Sequence, residues 1–166
     1  VALGVARHVQ VFEIAEQETT DFHKSLLSIS APLVLAVGFT GGRIDHELAS
    51  FHSLIQFADR PVVLVGTEDV IFHTPRQLLL CLPVDLRVSF FPLAPVRTKA
   101  TGLRWPKGEF DILFDPTTRI GTSNQTADER SEITTDRPGL LTILPRSALS
   151  AVVDAMAGAV FHSRPS

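Results

Sequence analysis

The stretch LVLAVGFTGGRIDH, residues 33–46, decides the fold of this 166-residue chain. Its first five residues are all apolar, which is typical of a strand buried on both faces of a parallel sheet. A glycine-rich turn follows at 38–42, and an amphipathic helix is predicted to begin near Asp45. Another apolar segment, Val62–Val65, predicts the next strand. Strand, helix and strand in this order predict a parallel sheet with right-handed crossovers.

The segments on either side of this stretch indicate two structurally different parts of the chain. Upstream, residues 9–14 have strand character, and a helix is predicted from Asp21. Downstream of Gly66 the segments are short, rich in β-formers and broken by Pro, Gly, Asp and Asn, which predicts an antiparallel sandwich or barrel. The candidate strands there are 70–73, 77–82, 88–92, 99–103, 112–114, 132–135 and 140–144, followed by a helix at 148–157.

The predicted fold class is therefore α/β plus all-β. A partial parallel α/β domain, Rossmann-like in its strand–helix order, spans residues 1–66. An antiparallel β-sandwich domain with a short C-terminal helix spans residues 67–166. A chain of 166 residues that is 45% hydrophobic has enough apolar mass for one compact unit or two small ones.

Charge and apolar patterning exclude several classes of function. The net charge of -3 at pH 7, without any basic cluster, argues against a nucleic-acid or membrane-surface partner. No segment approaches the ~20 apolar residues of a membrane helix, and no signal peptide is visible, so a cytoplasmic location is expected by default. The single cysteine, Cys81, lies in an apolar run and is expected to fill space in the core.

The first candidate site lies between the strand at 9–14 and the following helix. In open parallel sheets ligands bind beyond the carboxyl ends of strands, where a helix N-terminus offers N–H groups to phosphate. Asp21 could hold a metal there, and Lys24 could reach phosphate oxygens. Alternatively, Thr20 or Asp21 is an ordinary N-cap and Lys24 is a solvated side chain. The segment alone favours this second interpretation, because capping patterns are common.

The second candidate site is the Gly41-Gly42-Arg43-Ile44-Asp45-His46 string. Glycines allow close approach of the backbone to a ligand, an arginine fork suits phosphate, and a carboxylate is a ligand that magnesium prefers. The alternative is a tight turn in which Asp45 caps the helix and Arg43 is a surface charge. No second histidine lies at zinc-ligand spacing from His46, and no nucleophile elbow or Walker motif is present.

The third candidate site lies in the β part. Trp105, the only tryptophan, follows Gly102-Leu103-Arg104, and Ser123 and Asn124 lie in a predicted polar loop. An aromatic face with hydroxyl and amide groups could hold a flat heteroaromatic cation. Read in isolation, the segments favour a core tryptophan and a Ser-Asn turn.

Taken in order, these segments resemble thiamine pyrophosphokinase along nearly the whole chain. The most specific motif is the Gly-Gly-Arg-x-Asp-His string, and several weaker motifs occur in the same order as in the family. The matching pieces are Gln17 with 20–24, Gly38 with 40–46, 88–89, 102–106 and 121–124.

The resemblance implies a fold and a reaction. The fold would be an α/β domain that handles ATP followed by a β-sandwich that helps to hold thiamine. The thiamine hydroxyl would attack the β-phosphorus of ATP, AMP would leave, and Mg²⁺ would be required. The family implies a homodimer in which each active site draws on the α/β domain of one subunit and the sandwich of the other.

The resemblance also implies roles for individual residues. Asp21 and Asp45 would lie at the metal and phosphate site, and Arg43 would join them in catalysis. The ATP phosphates would be bound, or their neighbours oriented, by Gln17, Thr20, Lys24 and Arg43. Trp105 would stack near thiamine, while Ser123 and Asn124 would contact its pyrimidine ring.

One family motif is not found in this sequence. The family carries Gly-Asp-x-Asp-Ser upstream of the segment that matches 17–24, where it supplies further metal ligands. The sequence is therefore expected to be incomplete at its N-terminus, and these 166 residues alone to have weak or no activity. The competing hypotheses are a relative that binds a nucleotide or thiamine without turnover, and a structural dimerisation domain.

Overall fold

The computed structural model describes residues 18–106, 110–119 and 121–163. The predicted strand at 9–14 and Gln17 lie outside the described residues. The helices are α1 (Asp21–Ser28), α2 (Ile44–Gln56) and α3 (Leu149–Gly158), the last preceded by the 3-10 turn Arg146–Ala148. The strands are β1 (Val34–Val37), β2 (Val62–Val65), β3 (Asp69–His73), β4 (Gln77–Cys81), β5 (Arg87–Pro92), β6 (Val96–Ala100), β7 (Phe110–Phe114), β8 (Thr122–Gln125), β9 (Arg130–Thr135) and β10 (Leu140–Pro145).

The strands form two sheets. A six-stranded sheet has the order β1-β2-β3-β10-β5-β8, and a four-stranded sheet has the order β4-β9-β6-β7. Strands β1 and β2 are parallel, with Val34 opposite Val62, whereas the other paired strands are antiparallel. The architecture is thus a mixed sheet plus an antiparallel sheet with few helices.

The six-stranded sheet is the middle layer of the molecule. On one face it packs against the four-stranded sheet and α3, and on the other against α1 and α2. Strand β2 contributes to both sides, because Val63 and Val65 belong to the first cluster and Val62 and Leu64 to the second. Burying each such side chain contributes roughly 1.5–3 kcal/mol. The continuous apolar run of β2 therefore reflects burial on both faces, as the sequence predicts.

Strand β1 differs from that prediction. Val34 and Ala36 are buried against the helices, but Leu35 and Val37 are 47% and 71% exposed. The prediction of burial on both faces is therefore wrong for β1 in the described structure. The physical reason is that the core which covers Val63 and Val65 on this face does not reach the neighbouring strand.

Most predicted elements are confirmed, with shifts at their ends. The helices at α1, α2 and α3 and the strands at β2, β3, β4, β5, β7, β9 and β10 fall where the sequence predicts them. Strand β6 begins three residues before its predicted start at 99, and the chain leaves the ladder at Gly102, where φ is +73°. Leu48, an apolar residue of the amphipathic α2, is 56% exposed.

Two predictions in the β part are wrong. Ser123 and Asn124, predicted to lie in a polar loop, belong to β8 and pair with β5. Cys81 is exposed and does not fill the core, because in β4 alternate residues are buried and its neighbours Leu80 and Leu82 take the inward positions. Sequence composition alone did not resolve which face each residue takes.

The sheet connects the two predicted domains. Val63 of β2 lies opposite Phe72 of β3 in an antiparallel ladder, so strands from both sides of Gly66 belong to one sheet. The division at residues 66 and 67 stays a prediction. Within the described residues, none of the helices has the length and apolar character needed to cross a bilayer.

Candidate functional site

An open cavity of about 360 Å³ lies beyond the carboxyl end of β1. It is bounded by the N-terminus of α1, the loop after β1 and the first turns of α2. Its position follows the rule that ligands of parallel strands bind at their carboxyl ends. The described residues that line it are Thr20, Asp21, Phe22, Gly38, Phe39, Thr40, Gly41, Gly42, Arg43, His46 and Ser50.

The N-terminus of α1 places one carboxylate at this cavity. Thr20 is the N-cap, and its Oγ1 accepts the N–H of His23 at 3.4 Å, which confirms the capping interpretation for Thr20. The Asp21 side chain is 88% exposed, and one of its oxygens lies 3.2 Å from Lys24 Nζ. Lys24 is 8% exposed, so it is not the solvated side chain of the capping interpretation. Its ammonium instead supplies positive charge beside the cavity carboxylate.

The loop after β1 forms a backbone cradle. Gly38 and Gly41 have φ of +89° and +79°, which favours glycine strongly over other residues. A Cβ built at Gly38, Gly41 or Gly42 would meet no atom within 4 Å, so the cavity side of the loop is open. This geometry allows a ligand to approach the main chain closely, as the Gly-Gly pair predicts.

Arg43 and Asp45 bind one another at the start of α2. Nε and Nη2 of Arg43 donate to the two Asp45 carboxylate oxygens at 3.1 and 2.5 Å. These hydrogen bonds hold the pKa of Asp45 below its usual range and raise the pKa of Arg43. Asp45 Oδ1 also accepts the N–H of His46 at 3.0 Å. Both side chains are exposed, where ion pairs are weak, so a bound phosphate or cation can compete for either partner.

The donor set fits a divalent cation in part. Among the described residues, Asp21 is the carboxylate that lines the cavity, whereas Asp45 is held by Arg43 and does not line it. Magnesium commonly uses one or two carboxylates together with water and substrate phosphates. Asp21 fits that role directly, and Asp45 fits it when Arg43 is drawn away. The described part of the chain contains no group of three or more His, Cys, Asp or Glu side chains arranged for a metal.

The β part presents a separate aromatic site. Trp105 is 54% exposed, so the interpretation as a core tryptophan is wrong. Ser123 is exposed, receives a long hydrogen bond of 3.5 Å from Ser89 Oγ, and lines a shallow depression of about 330 Å³ beside Phe91. The β part thus offers an exposed indole ring and, in a depression that Trp105 does not line, an accessible hydroxyl.

Asn124 is not accessible at this aromatic site. It is 1% exposed, its Oδ1 accepts the N–H of Trp105 at 3.1 Å, and its Nδ2 donates to the Trp105 carbonyl. Its amide is therefore bonded to the main chain of the tryptophan. A direct contact of Asn124 with a ligand, as the family resemblance implies, would need these bonds to break.

The structure brings only part of the predicted site together. Thr20, Asp21 and Arg43 line the cavity, and Lys24 and Asp45 adjoin it as their ion-pair partners. No described residue of the β part lines the cavity, so Trp105, Ser123 and Asn124 lie apart from it.

Several cavity residues were not predicted from the sequence. Phe22 and Phe39 have ring centroids 4.7 Å apart and form an apolar wall of the cavity, and Ser50 lines it one turn beyond His46. For Ser50 a signal was available in the sequence, because it lies four residues after His46 and therefore on the same face of the helix. Phe39 carries no signal beyond its place between two glycine turns.

Part of the chain matches a known family model. Residues 84–140 match the model described as "Thiamin pyrophosphokinase, vitamin B1 binding domain". "Thiamine pyrophosphokinase 2" of Oryza sativa subsp. japonica is 32% identical over 147 residues, which cover 79% of this chain and 54% of that protein. "Thiamine pyrophosphokinase 1" of Arabidopsis thaliana is 28% identical over 147 residues, with the same coverage. The chain thus spans about half the length of the curated relatives that it matches.

Solved structures share the fold. The thiamin pyrophosphokinase of Geobacillus thermodenitrificans superimposes with a TM-score of 0.65 and 24% identity, over 79% of this chain and 63% of that chain. The corresponding protein of Bacillus subtilis gives a TM-score of 0.65 with 22% identity, over 78% and 64% of the two chains. At this identity the comparison establishes the arrangement of sheets and helices.

Proposed function

The family model and the curated relatives indicate the thiamine pyrophosphokinase family, and from that premise we propose that the protein transfers a diphosphate from ATP to the hydroxyl of thiamine. The products are thiamine diphosphate and AMP. The observation that carries the proposal is the open cavity at the end of β1, where a carboxylate, a guanidinium and an open glycine loop meet two helix N-termini.

The cavity suits a polyphosphate. The N-termini of α1 and α2 provide the positive ends of two helix dipoles, and the glycine loop allows main-chain contact with phosphate oxygens. Arg43 offers a planar fork for phosphate, and Lys24 adds a positive charge beside Asp21. Thr20 and Gln17 complete the proposed ATP-binding set, Gln17 as a prediction outside the described residues.

Magnesium is the proposed cation. Asp21 would hold it through a carboxylate oxygen, and Asp45 would join after Arg43 turns to phosphate. The ion would supply neutralisation of the charge that develops on the transferred group. The chain itself positions the reactants: a bond forms between the thiamine oxygen and the β-phosphorus, the bond from that phosphorus to the AMP oxygen breaks, and the hydroxyl proton is released to water. Orientation and charge complementarity by Arg43 and Lys24 supply most of the catalysis.

The aromatic site is proposed to hold thiamine. Trp105 supplies an exposed ring for stacking, and Ser123 supplies a hydroxyl for the pyrimidine ring. Because neither Trp105 nor Ser123 lines the cavity, we propose a homodimer in which each active site combines the cavity of one subunit with Trp105 and Ser123 of its partner. A Rossmann-like ATP domain over 1–66, a thiamine domain over 67–166 and a cytoplasmic location remain part of this proposal.

The test is AMP release by the full-length protein. Release should depend on thiamine and on Mg²⁺. The variants Asp21→Asn and Asp45→Asn should each lower kcat/KM by roughly 100-fold or more, because each removes charge stabilisation that acts in the transition state. Asp59→Asn serves as the matched control, since Asp59 is an exposed carboxylate after α2 that does not line the cavity.

Two outcomes would overturn parts of the proposal. Unchanged AMP release in Asp21→Asn would remove the cavity carboxylate from the mechanism. Binding of thiamine and an ATP analogue without any AMP release would favour the non-catalytic relative. The non-catalytic relative is the second candidate function. The ion pair between Arg43 and Asp45 favours it, because each side chain binds the other instead of phosphate or a cation.

A further inference from the structure

The segment before Trp105 is fixed to β8 by main-chain hydrogen bonds. Leu103 forms an antiparallel bridge with Thr126, and Arg104 N donates to Gln125 O at 2.8 Å. The segment therefore continues the sheet beyond β8. The next bonds are made by the buried Asn124 amide, which contacts both the N–H and the carbonyl of Trp105. Trp105 is thus exposed as a ring but held at its main chain.

Arg104 packs on the indole and is itself held from two sides. Its guanidinium carbon lies 5.5 Å from the centroid of the Trp105 ring. Nη1 donates to Gln125 Oε1 at 2.9 Å, and Nη2 donates to Asp85 Oδ1. The guanidinium therefore cannot rotate away from the ring without losing both partners.

Asp85 is fixed in turn by an unusual backbone. Its φ is +69°, a conformation that non-glycine residues adopt rarely and that Asp and Asn tolerate best. Asp85 N donates to Thr126 O at 3.0 Å, in the same strand end that pairs with Leu103. The turn between β4 and β5 thus aims a carboxylate at Arg104.

We propose that Asn124, Arg104 and Asp85 are positioning residues for Trp105. Asn124 fixes the main chain, and Arg104, oriented by Asp85, covers one face of the indole. The ring then presents a single, preordered face to a flat ligand. That the ligand is thiamine rests on the proposed function; the ordering of the ring does not.

The preordered ring has a measurable value for binding. Immobilising one side chain on binding costs about 0.5–1.5 kcal/mol, which corresponds to a factor of roughly 2 to 10 in affinity. A ring that is already held avoids this loss. Removal of the positioning residues should therefore raise KM for thiamine by roughly 2- to 10-fold while kcat stays near its original value.

The single tryptophan makes the test direct. Since the sequence contains one Trp, fluorescence reports on Trp105 alone. Asp85→Gly removes the carboxylate and suits the positive φ, so folding should be retained. Arg104→Met removes the guanidinium but keeps a long side chain. The controls are Asp128→Asn and Arg130→Met, whose side chains are exposed.

The expected result in both test variants, without ligand, is lower fluorescence anisotropy and faster acrylamide quenching of Trp105, at an unchanged thermal midpoint. KM for thiamine should rise as stated, and the control variants should match the wild type. Unchanged anisotropy and quenching in Asp85→Gly and Arg104→Met would overturn the positioning proposal. If the wild-type fluorescence does not respond to thiamine, the proposed thiamine site fails instead, and the two failures are distinguishable.

Discussion

Acidification should destabilise the protein through His73. This residue ends β3 and is 5% exposed. Its Nε2 accepts the N–H of Gly139 at 3.3 Å, while its Nδ1 has no hydrogen-bond partner within the described structure. The ring packs 5.5 Å from that of His162, which bonds to Thr135 Oγ1. Burial, with a smaller contribution from the charge of His162, lowers the pKa of His73 to about 3.

The magnitude follows from the difference in pKa between the folded and unfolded chains. The ordinary pKa of 6.5 applies to the unfolded chain. Below pH 6.5 the unfolded chain binds a proton that the folded chain rejects, so stability is complete above that pH and is lost as pH falls. Each pH unit costs about 1.36 kcal/mol, which gives roughly 2 kcal/mol at pH 5 and about 4 kcal/mol at pH 3, where the folded chain begins to bind the proton as well. Such a loss is large against a total of about 5–15 kcal/mol.

The assay is urea denaturation between pH 7.5 and 5. The free energy of unfolding should fall with pH in the wild type, and the decrease should be smaller in His73→Gln, whose Oε1 can accept the Gly139 N–H. His52→Gln is the control, because His52 is exposed on α2. Some dependence should remain from His162, whose pKa is also lowered by burial. An equal pH dependence in His73→Gln and the wild type would refute the assignment.

Two further variants test the packing. Gly102→Ala should lower the free energy of unfolding by roughly 2–4 kcal/mol in thermal denaturation, because its Cβ would lie 2.1 Å from Arg130 O at a φ of +73°. Gly158→Ala is the control and should cost nothing, because its Cβ would meet no atom within 4 Å. Equal stability of the two variants would contradict this reasoning. Arg60→Met should lower the free energy of unfolding in urea by roughly 1–3 kcal/mol and speed amide hydrogen exchange at the end of α1, because Arg60 donates to the carbonyls of Leu26 and Ile29. Arg119→Met is the control, because Arg119 is exposed. Unchanged exchange in Arg60→Met would count against a role of Arg60 in holding the end of α1.

Sequence patterns predicted where helices and strands lie better than they predicted which faces of these elements are buried. The apolar runs of β1 and β2 look alike, yet β2 is buried on both faces and β1 on one. A strand's neighbours decide that difference, and they lie far away in the chain. Strand β8 was predicted as a loop because its residues are polar, although pairing with β5 provides the hydrogen bonds that make it a strand.

In the candidate site, too, the position of the residues was predicted but their side-chain contacts were not. The Gly-Gly-Arg-x-Asp spacing predicted an open loop at a helix start, and the cavity lies there. The spacing did not predict that Arg43 and Asp45 bind one another, because side-chain rotamers set that contact. Composition likewise located Trp105 but did not predict the bonds of Asn124 to its main chain, which depend on the register between 103–105 and β8.

The ladder between β2 and β3 has a practical consequence for dissecting the protein. A fragment that starts after Gly66 would leave the N–H and C=O groups of β3 that face Val63–Val65 without partners. Such a bare, apolar strand edge is a template for pairing with other molecules. Expression of the β part alone should therefore yield aggregates or swapped oligomers, and a soluble truncation should retain both β2 and its partner β1.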